Sequence, residues 1–166
     1  MFRKLIKILI VLFLSLNSVI SQNNEKDFKS TVGKSFIRTN FEWFHGLHAS
    51  MNYRNRVQAN VNLAIGIENT YRQNNLNPFL SFALGYDFLK NDNTLALQWK
   101  GSLSTFEISP SNRLDYWTNG LGYYFSAGKK WSVFQATFVG RGIEYVQDNQ
   151  FAFWSYQVEI GVRYAF

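Results

Sequence analysis

The side chains with the most chemical scope in this 166-residue chain are His45 and His48, and their spacing limits what they can do. A separation of three suits one face of a helix, but on an extended strand it sends the two rings to opposite faces. The surrounding residues, Phe41 to Tyr53, alternate in polarity as a strand does. A shared metal site is therefore disfavoured, because its ligands must converge on one point. A serine nucleophile fares no better. Ser109 and Ser111 sit in a polar connection with no histidine at their level unless His45 stands there, and no G-x-S-x-G elbow occurs. Gly120-Leu121-Gly122 has no third glycine and lies inside a strand pattern, which excludes a dinucleotide loop. No catalytic residue, metal ligand or cofactor is assigned, and the chain reads as a non-enzyme.

Charge offers a different chemistry. Glu42, His48, Asp87, Lys100, Arg141, Glu159 and Arg163 fall on the polar faces of alternating segments, with Asn60, Asn62, Gln98 and Gln135 among them. Gathered in a low-dielectric interior, opposite charges pair and bond their remaining donors. Glu159 and Arg163 share one face of one strand, and Lys100 could reach across from another. The expectation is a polar side-chain network filling the inside of a narrow barrel. The same groups could instead line a narrow conduit for small or apolar molecules.

The elements that must carry these residues are legible from the C-terminal end. In Phe151–Phe166 the even positions are Ala152, Trp154, Tyr156, Val158, Ile160, Val162, Tyr164 and Phe166, all apolar or aromatic. The odd ones are mostly small or polar. A period of two over this length is a β-strand with one apolar face. Aromatics stand at both ends of that face and aliphatics between, the grading that two membrane interfaces impose. Similar alternation, weaker in the first, marks 28–38, 41–53, 57–67, 79–90, 94–107, 114–127 and 131–145. In 131–145 the apolar set Phe134, Ala136 and Phe138 is read as outward, with Gln135, Thr137 and Arg141 inward. The connections alternate between longer polar loops (69–77, 107–112, 147–150) and tight turns (54–56, 91–93, 128–130). His45 and Asn119 fall on the apolar face, the former calling for a neutral ring or a local bulge.

Residues 1–21 stand apart. Arg3, Lys4 and Lys7 precede an apolar run to Leu16 and a short exit ending Val19-Ile20-Ser21, the form of a secretory signal peptide. The barrel then spans 22–166. There is no cysteine, which rules out disulfide staples and a lipidated N-terminal Cys. The formal charge of +6 shrinks once the leader's three cations go, leaving 14 Lys and Arg against 11 Asp and Glu. These are scattered rather than clustered, so a nucleic-acid partner is not expected.

The leader and the Phe-terminated last strand resemble those of small eight-stranded bacterial outer-membrane β-barrels. That resemblance implies an all-β, up-and-down antiparallel transmembrane barrel in the outer membrane of a Gram-negative-type bacterium. It implies contact with the bilayer and lipopolysaccharide, and insertion by the barrel assembly machinery reading Tyr156, Val158, Ile160, Val162, Tyr164 and Phe166. It also implies a structural or surface-interaction role, the external loop partner being open, and no cofactor. The lower-ranked alternative is a lipid-modifying outer-membrane enzyme. Alternation alone also permits the inverse, a soluble lipocalin-like barrel with its apolar face inside.

Overall fold

A computed structural model describes residues 28–54, 56–67, 77–89, 93–109, 112–146 and 149–165. Residues 1–21, read from the sequence as a signal peptide, most of the 69–77 connection, Asn91, Asp92, Pro110, Ser111, Gln147, Asp148 and Phe166 lie outside the described residues. Eight strands follow in order: β1 (Phe28–Thr39), β2 (Trp43–Tyr53), β3 (Val57–Gly66), β4 (Pro78–Asp87), β5 (Thr94–Ser109), β6 (Asn112–Ala127), β7 (Trp131–Val146) and β8 (Asn149–Ala165). Each pairs antiparallel with the next, and β1 pairs with β8 to close the barrel. Closure gives every strand two neighbours, the only way a sheet satisfies its backbone in lipid.

The turns have local causes. Arg56 N–H donates to Tyr53 C=O at 3.0 Å across the β2–β3 turn, where Arg54 takes a positive φ of 52°. Gly128, at φ 121°, supplies the left-handed position between β6 and β7 that a side chain would strain. Asp87 holds the β4–β5 connection, its Oδ1 accepting from the amides of Leu89 (3.0 Å) and Leu95 (3.1 Å).

The strands are unequal. β1–β4 run 10 to 12 residues and β5–β8 run 16 or 17. β8 meets β1 only from Gln157 (opposite Thr39) to Ala165, so Asn149–Tyr156 continue beyond β1's end. On the other flank, pairing of β5 with β4 stops at Ser104 opposite Phe79. Hence β5–β8 stand above the rim of β1–β4 as a curved wall. Strand runs into two of the connections expected to be longer loops, with Ser109 paired to Asn112 and Val146 to Asn149. Above the bilayer both faces of a ribbon meet water, so the lipid-imposed alternation fades while the ladder continues. At the wall's foot, Asn40 clamps the seam: its Nδ2 donates to Trp154 C=O and its Oδ1 accepts from Tyr156 N–H, both at 2.9 Å.

The two faces are inside-out relative to a soluble protein. Leu47, Leu97, Leu121, Trp131 and Trp154 are more than half exposed on the exterior. Glu42, His48, Gln98, Lys100 and Glu159 are buried within. β7 departs from the reading of its sequence. Phe134, Ala136 and Phe138 are buried and inward, while Gln135, Thr137 and Arg141 face out. The register shows why. Phe138 lies opposite Gly122, and Phe134 opposite Gly161, so missing side chains make room for the rings. A Cβ at Gly161 would stand 2.5 Å from the Phe134 ring. His45 sits in regular pairing opposite Phe36 and Ile65, so no bulge relocates it.

Candidate functional site: a layered polar lumen

Inward side chains fill the barrel in layers. Ile37, Phe44, Ala64 and Phe79 form an apolar section toward the wall end. Ala83, Ala96, Tyr124, Phe134, Ala136 and Phe138 form another toward the end where β1 begins and β8 finishes. Between them lies an ion pair joining Lys100 of β5 to Glu159 of β8, both 2 % exposed. The Lys100 ammonium stands 5.7 Å from the centroid of Phe79 and 4.8 Å from that of Phe138, one ring from each layer. In this sheltered space a charge without a partner would be costly, and pairing offsets part of the loss of water.

Asn62 is the hub of the layer. Its Nδ2 donates to Ser81 Oγ at 3.1 Å and approaches both Glu159 oxygens at 3.3 and 3.4 Å. Its Oδ1 accepts from Ser35 Oγ at 3.3 Å and stands 2.9 Å from His48 Nδ1. With an oxygen there, the network assigns the His48 proton to Nδ1 and leaves Nε2 facing Tyr124 Oη at 3.5 Å. The imidazole lies against two rings, 4.1 Å from Phe134 and 5.8 Å from Tyr124, which are themselves 5.6 Å apart. Nearby, Gln157 Nε2 donates to Ser102 Oγ (2.5 Å) and Thr118 Oγ1 (2.8 Å), and Asn60 Nδ2 to Gln98 Oε1 (2.9 Å). A void beside Lys100, Gly120 and Gly140 has room for about one water.

Further polar groups stand nearer the two ends. Glu42 accepts from Asn77 Nδ2 at 2.9 Å, and its carboxylate occupies the space that a Cβ at Gly66 would need. Toward the chain-terminal end, Arg163 donates to three hydroxyls, Ser132 (2.8 Å), Ser50 (2.7 Å) and Ser126. It has no carboxylate partner among the described residues; the Tyr124 ring lies 5.4 Å from its guanidinium carbon. Asp87 accepts from Asn52 Nδ2 at 2.8 Å besides its turn amides.

Of the seven charged or titratable residues singled out in the sequence, six are thus buried inside. The ion pair brings two of them into contact, Asn62 links His48 to that pair, and Glu42, Asp87 and Arg163 sit in separate groups. Arg141 does not join them. It is exposed on the exterior with its guanidinium 4.8 Å from the Trp154 ring, because β7's parity is the reverse of the expected one. Gln135 is outside for the same reason. Asn62, Gln157 and Tyr124 carry more of the network than the sequence indicates. Their polarity on the inward parity is visible there, but nothing local marks them as cross-barrel links. The histidines lie on opposite faces, as the strand period requires, with His45 4.6 Å from Phe36 outside. Among the described residues no group of three or more His, Cys, Asp or Glu side chains is placed to hold a metal ion.

The exterior completes the picture. Toward the end shared by the start of β1 and the finish of β8 lie Tyr53, Tyr86, Trp131 and Tyr164, with Arg54, Arg56 and Lys130 against Tyr53, Tyr86 and Tyr164 in turn. Toward the other end lie Trp43, Trp117 and Trp154, with Arg38 over Trp43. Aliphatic side chains such as Leu47, Leu84, Leu97, Leu121 and Ile160 fill the band between. Two aromatic girdles around an aliphatic band, outside a closed eight-stranded cylinder with a polar interior, define a transmembrane β-barrel of the outer-membrane type.

A solved structure shares this fold. The N-terminal β-barrel domain of Pseudomonas aeruginosa OprF aligns with a TM-score of 0.55 at 11% identity, covering 83% of this chain and 97% of that one. A major outer membrane protein from Thermus thermophilus aligns at 12% identity, over 84% of this chain and 99% of that one, with a TM-score of 0.44. No protein-family model matches the sequence, and no curated protein matches it.

Proposed function

We propose that this chain is an integral outer-membrane β-barrel of a Gram-negative-type bacterium, with a structural or surface-interaction role and no catalytic one. The observation that carries the reading is the inverted polarity of the cylinder, in which Lys100 and Glu159 are buried while Leu97 and Leu121 beside them in β5 and β6 face outward. The apolar layers on either side of the ion pair make the lumen a plug, so side chains rather than water occupy the axis. What projects for recognition is the wall of β5–β8. The partners that follow are the bilayer, lipopolysaccharide at the girdle that carries Arg38 and Arg141, and the barrel assembly machinery. That machinery would read the outward side chains Tyr156, Val158, Ile160, Val162 and Tyr164 of β8 together with Phe166.

The test is fractionation with a gel assay. The processed chain should sediment with outer membranes, require detergent for extraction, and migrate faster unheated than boiled. Reconstituted in planar bilayers, it should add no steady conductance steps. A chain freely soluble without detergent would overturn the membrane reading. Regular conductance steps abolished by Lys100→Ala would overturn the plug in favour of the narrow conduit.

A further inference from the structure

The outer face of β7 carries polar side chains where lipid-facing ones are expected. It reads Trp131, Val133, Gln135, Thr137, Val139, Arg141, so Gln135 and Thr137 lie midway between the girdle residue Trp131 and Arg141, which stands opposite Trp154. They lie four and six residues from Trp131, or roughly 13 and 20 Å along a strand. Tyr123 of β6 stands directly opposite Thr137. Gln135 Nε2 donates to Tyr123 Oη at 2.7 Å and to Thr137 Oγ1 at 3.2 Å, and Thr137 Oγ1 lies 3.5 Å from Tyr123 Oη. The triad is internally bonded but not complete. Gln135 Oε1 accepts from no group among the described residues, and Tyr123 Oη, already accepting from Gln135, has no described acceptor for its own proton.

A spare carbonyl and a spare hydroxyl facing hydrocarbon have no water to satisfy them. They are also mutually complementary. We propose that this face of β6 and β7 is the contact between two copies of the chain in the membrane, related by a two-fold axis along the membrane normal. Tyr123 of each copy donates to Gln135 Oε1 of the other. A two-fold contact requires a self-complementary patch, and one leftover donor beside one leftover acceptor is the simplest such patch. Polar side chains hydrogen-bonding across the interface are a recognised source of association between membrane segments, where lipid supplies no hydrophobic drive. The β2–β3 exterior has no such linked group: beside Leu47, Val61, Leu63 and Ile65 its one polar ring is His45, which lies 4.6 Å from the Phe36 ring. The inference rests on the membrane reading above, and its test keeps the two apart.

The chain has no cysteine, so single-cysteine cross-linking is free of background. Val139→Cys, beside the triad, and Leu47→Cys, on the opposite side, are each oxidised in native outer-membrane vesicles. Val139→Cys should give a disulfide-linked dimer and Leu47→Cys at least fivefold less. Adding Gln135→Leu and Tyr123→Phe to Val139→Cys should cut the dimer by at least fivefold, while the heat-modifiable gel shift stays intact. Equal cross-linking at both sites, none at either, or no loss on removing the two polar groups would each overturn the dimer. A loss of the gel shift or of membrane sedimentation in the parent single-cysteine chains would instead indict the barrel reading.

Discussion

Lys100 and Glu159 form an ion pair across the barrel, joining β5 to β8, two strands that share no ladder. The pair ties opposite sides of the cylinder at the level where Asn62 reaches in from β3. Here two of the lumen charges meet directly, and the layers above and below are fitted around them.

Removing only one member should therefore be worse than removing both. Lys100→Met leaves the Glu159 carboxylate buried with Asn62 alone among its described partners, and should cost about 3–5 kcal/mol. The double variant Lys100→Met, Glu159→Leu should recover most of that loss. Urea titration followed by the gel shift of folded and unfolded forms measures both. Equal destabilisation by single and double variants would mean that the pair contributes only its volume.

Asn62→Leu should separate hub from bystander. It removes partners from Ser81, Ser35, His48 and Glu159 together, and should cost about 2–4 kcal/mol, more than a single lost hydrogen bond. Asn52→Leu strands only Asp87's distal oxygen, whose other oxygen keeps its two amides, and should cost about 1 kcal/mol. The same unfolding titration ranks the two, and a reversed order would remove Asn62 from the centre of the network.

Gly122 and Gly101 test the close approach of strands. A Cβ at Gly122 would stand 1.9 Å from Thr137 C=O and 2.7 Å from Phe138 Cα, so Gly122→Ala must displace β7 or its inward ring. Gly101 faces out and a Cβ there meets only the Trp99 ring, at 3.2 Å. Gly122→Ala should cost several kcal/mol, on the order of an overpacked core, and Gly101→Ala under about 1 kcal/mol. Folding yield in lipid vesicles reports the difference.

β8 is readable in the sequence and β7 is not. Every even residue of β8 from Trp154 to Tyr164 is apolar, so one parity could face lipid and the other could not. In β7 both parities are mixed, with Phe134 and Phe138 against Gln135 and Thr137, and local alternation is undecided. The parity is set by neighbours, the glycines of β6 and β8 that leave room for the two rings, and those contacts are remote in sequence. The inward polar set is legible residue by residue apart from β7. Its hub is not, since cross-barrel partners depend on register and shear. The height of the wall escapes the sequence for a third reason: a ribbon above the membrane loses the alternation by which strands are recognised.

Asn40 makes the seam between β1 and the wall measurable. Asn40→Ala removes one donor and one acceptor from β8 and should cost about 1–2 kcal/mol. Because Tyr156 N–H then loses its partner, hydrogen exchange at that amide should accelerate at least tenfold while Val158 stays protected by β1. Unchanged exchange at Tyr156 would show that the clamp is not needed there.

The apolar side chains of this barrel point into lipid, and a nitroxide scan of β8 reads that orientation directly. Spin labels placed singly from Trp154 to Arg163 in a vesicle-reconstituted chain are relaxed by oxygen, which concentrates in lipid, or by a water-soluble nickel chelate. The account predicts a period of two, with oxygen accessibility highest at positions 154, 156, 158, 160 and 162 and low at 155, 157, 159, 161 and 163. Nickel access should be low at every position within the band. Oxygen maxima at the odd positions, or strong nickel access along the even ones, would contradict it.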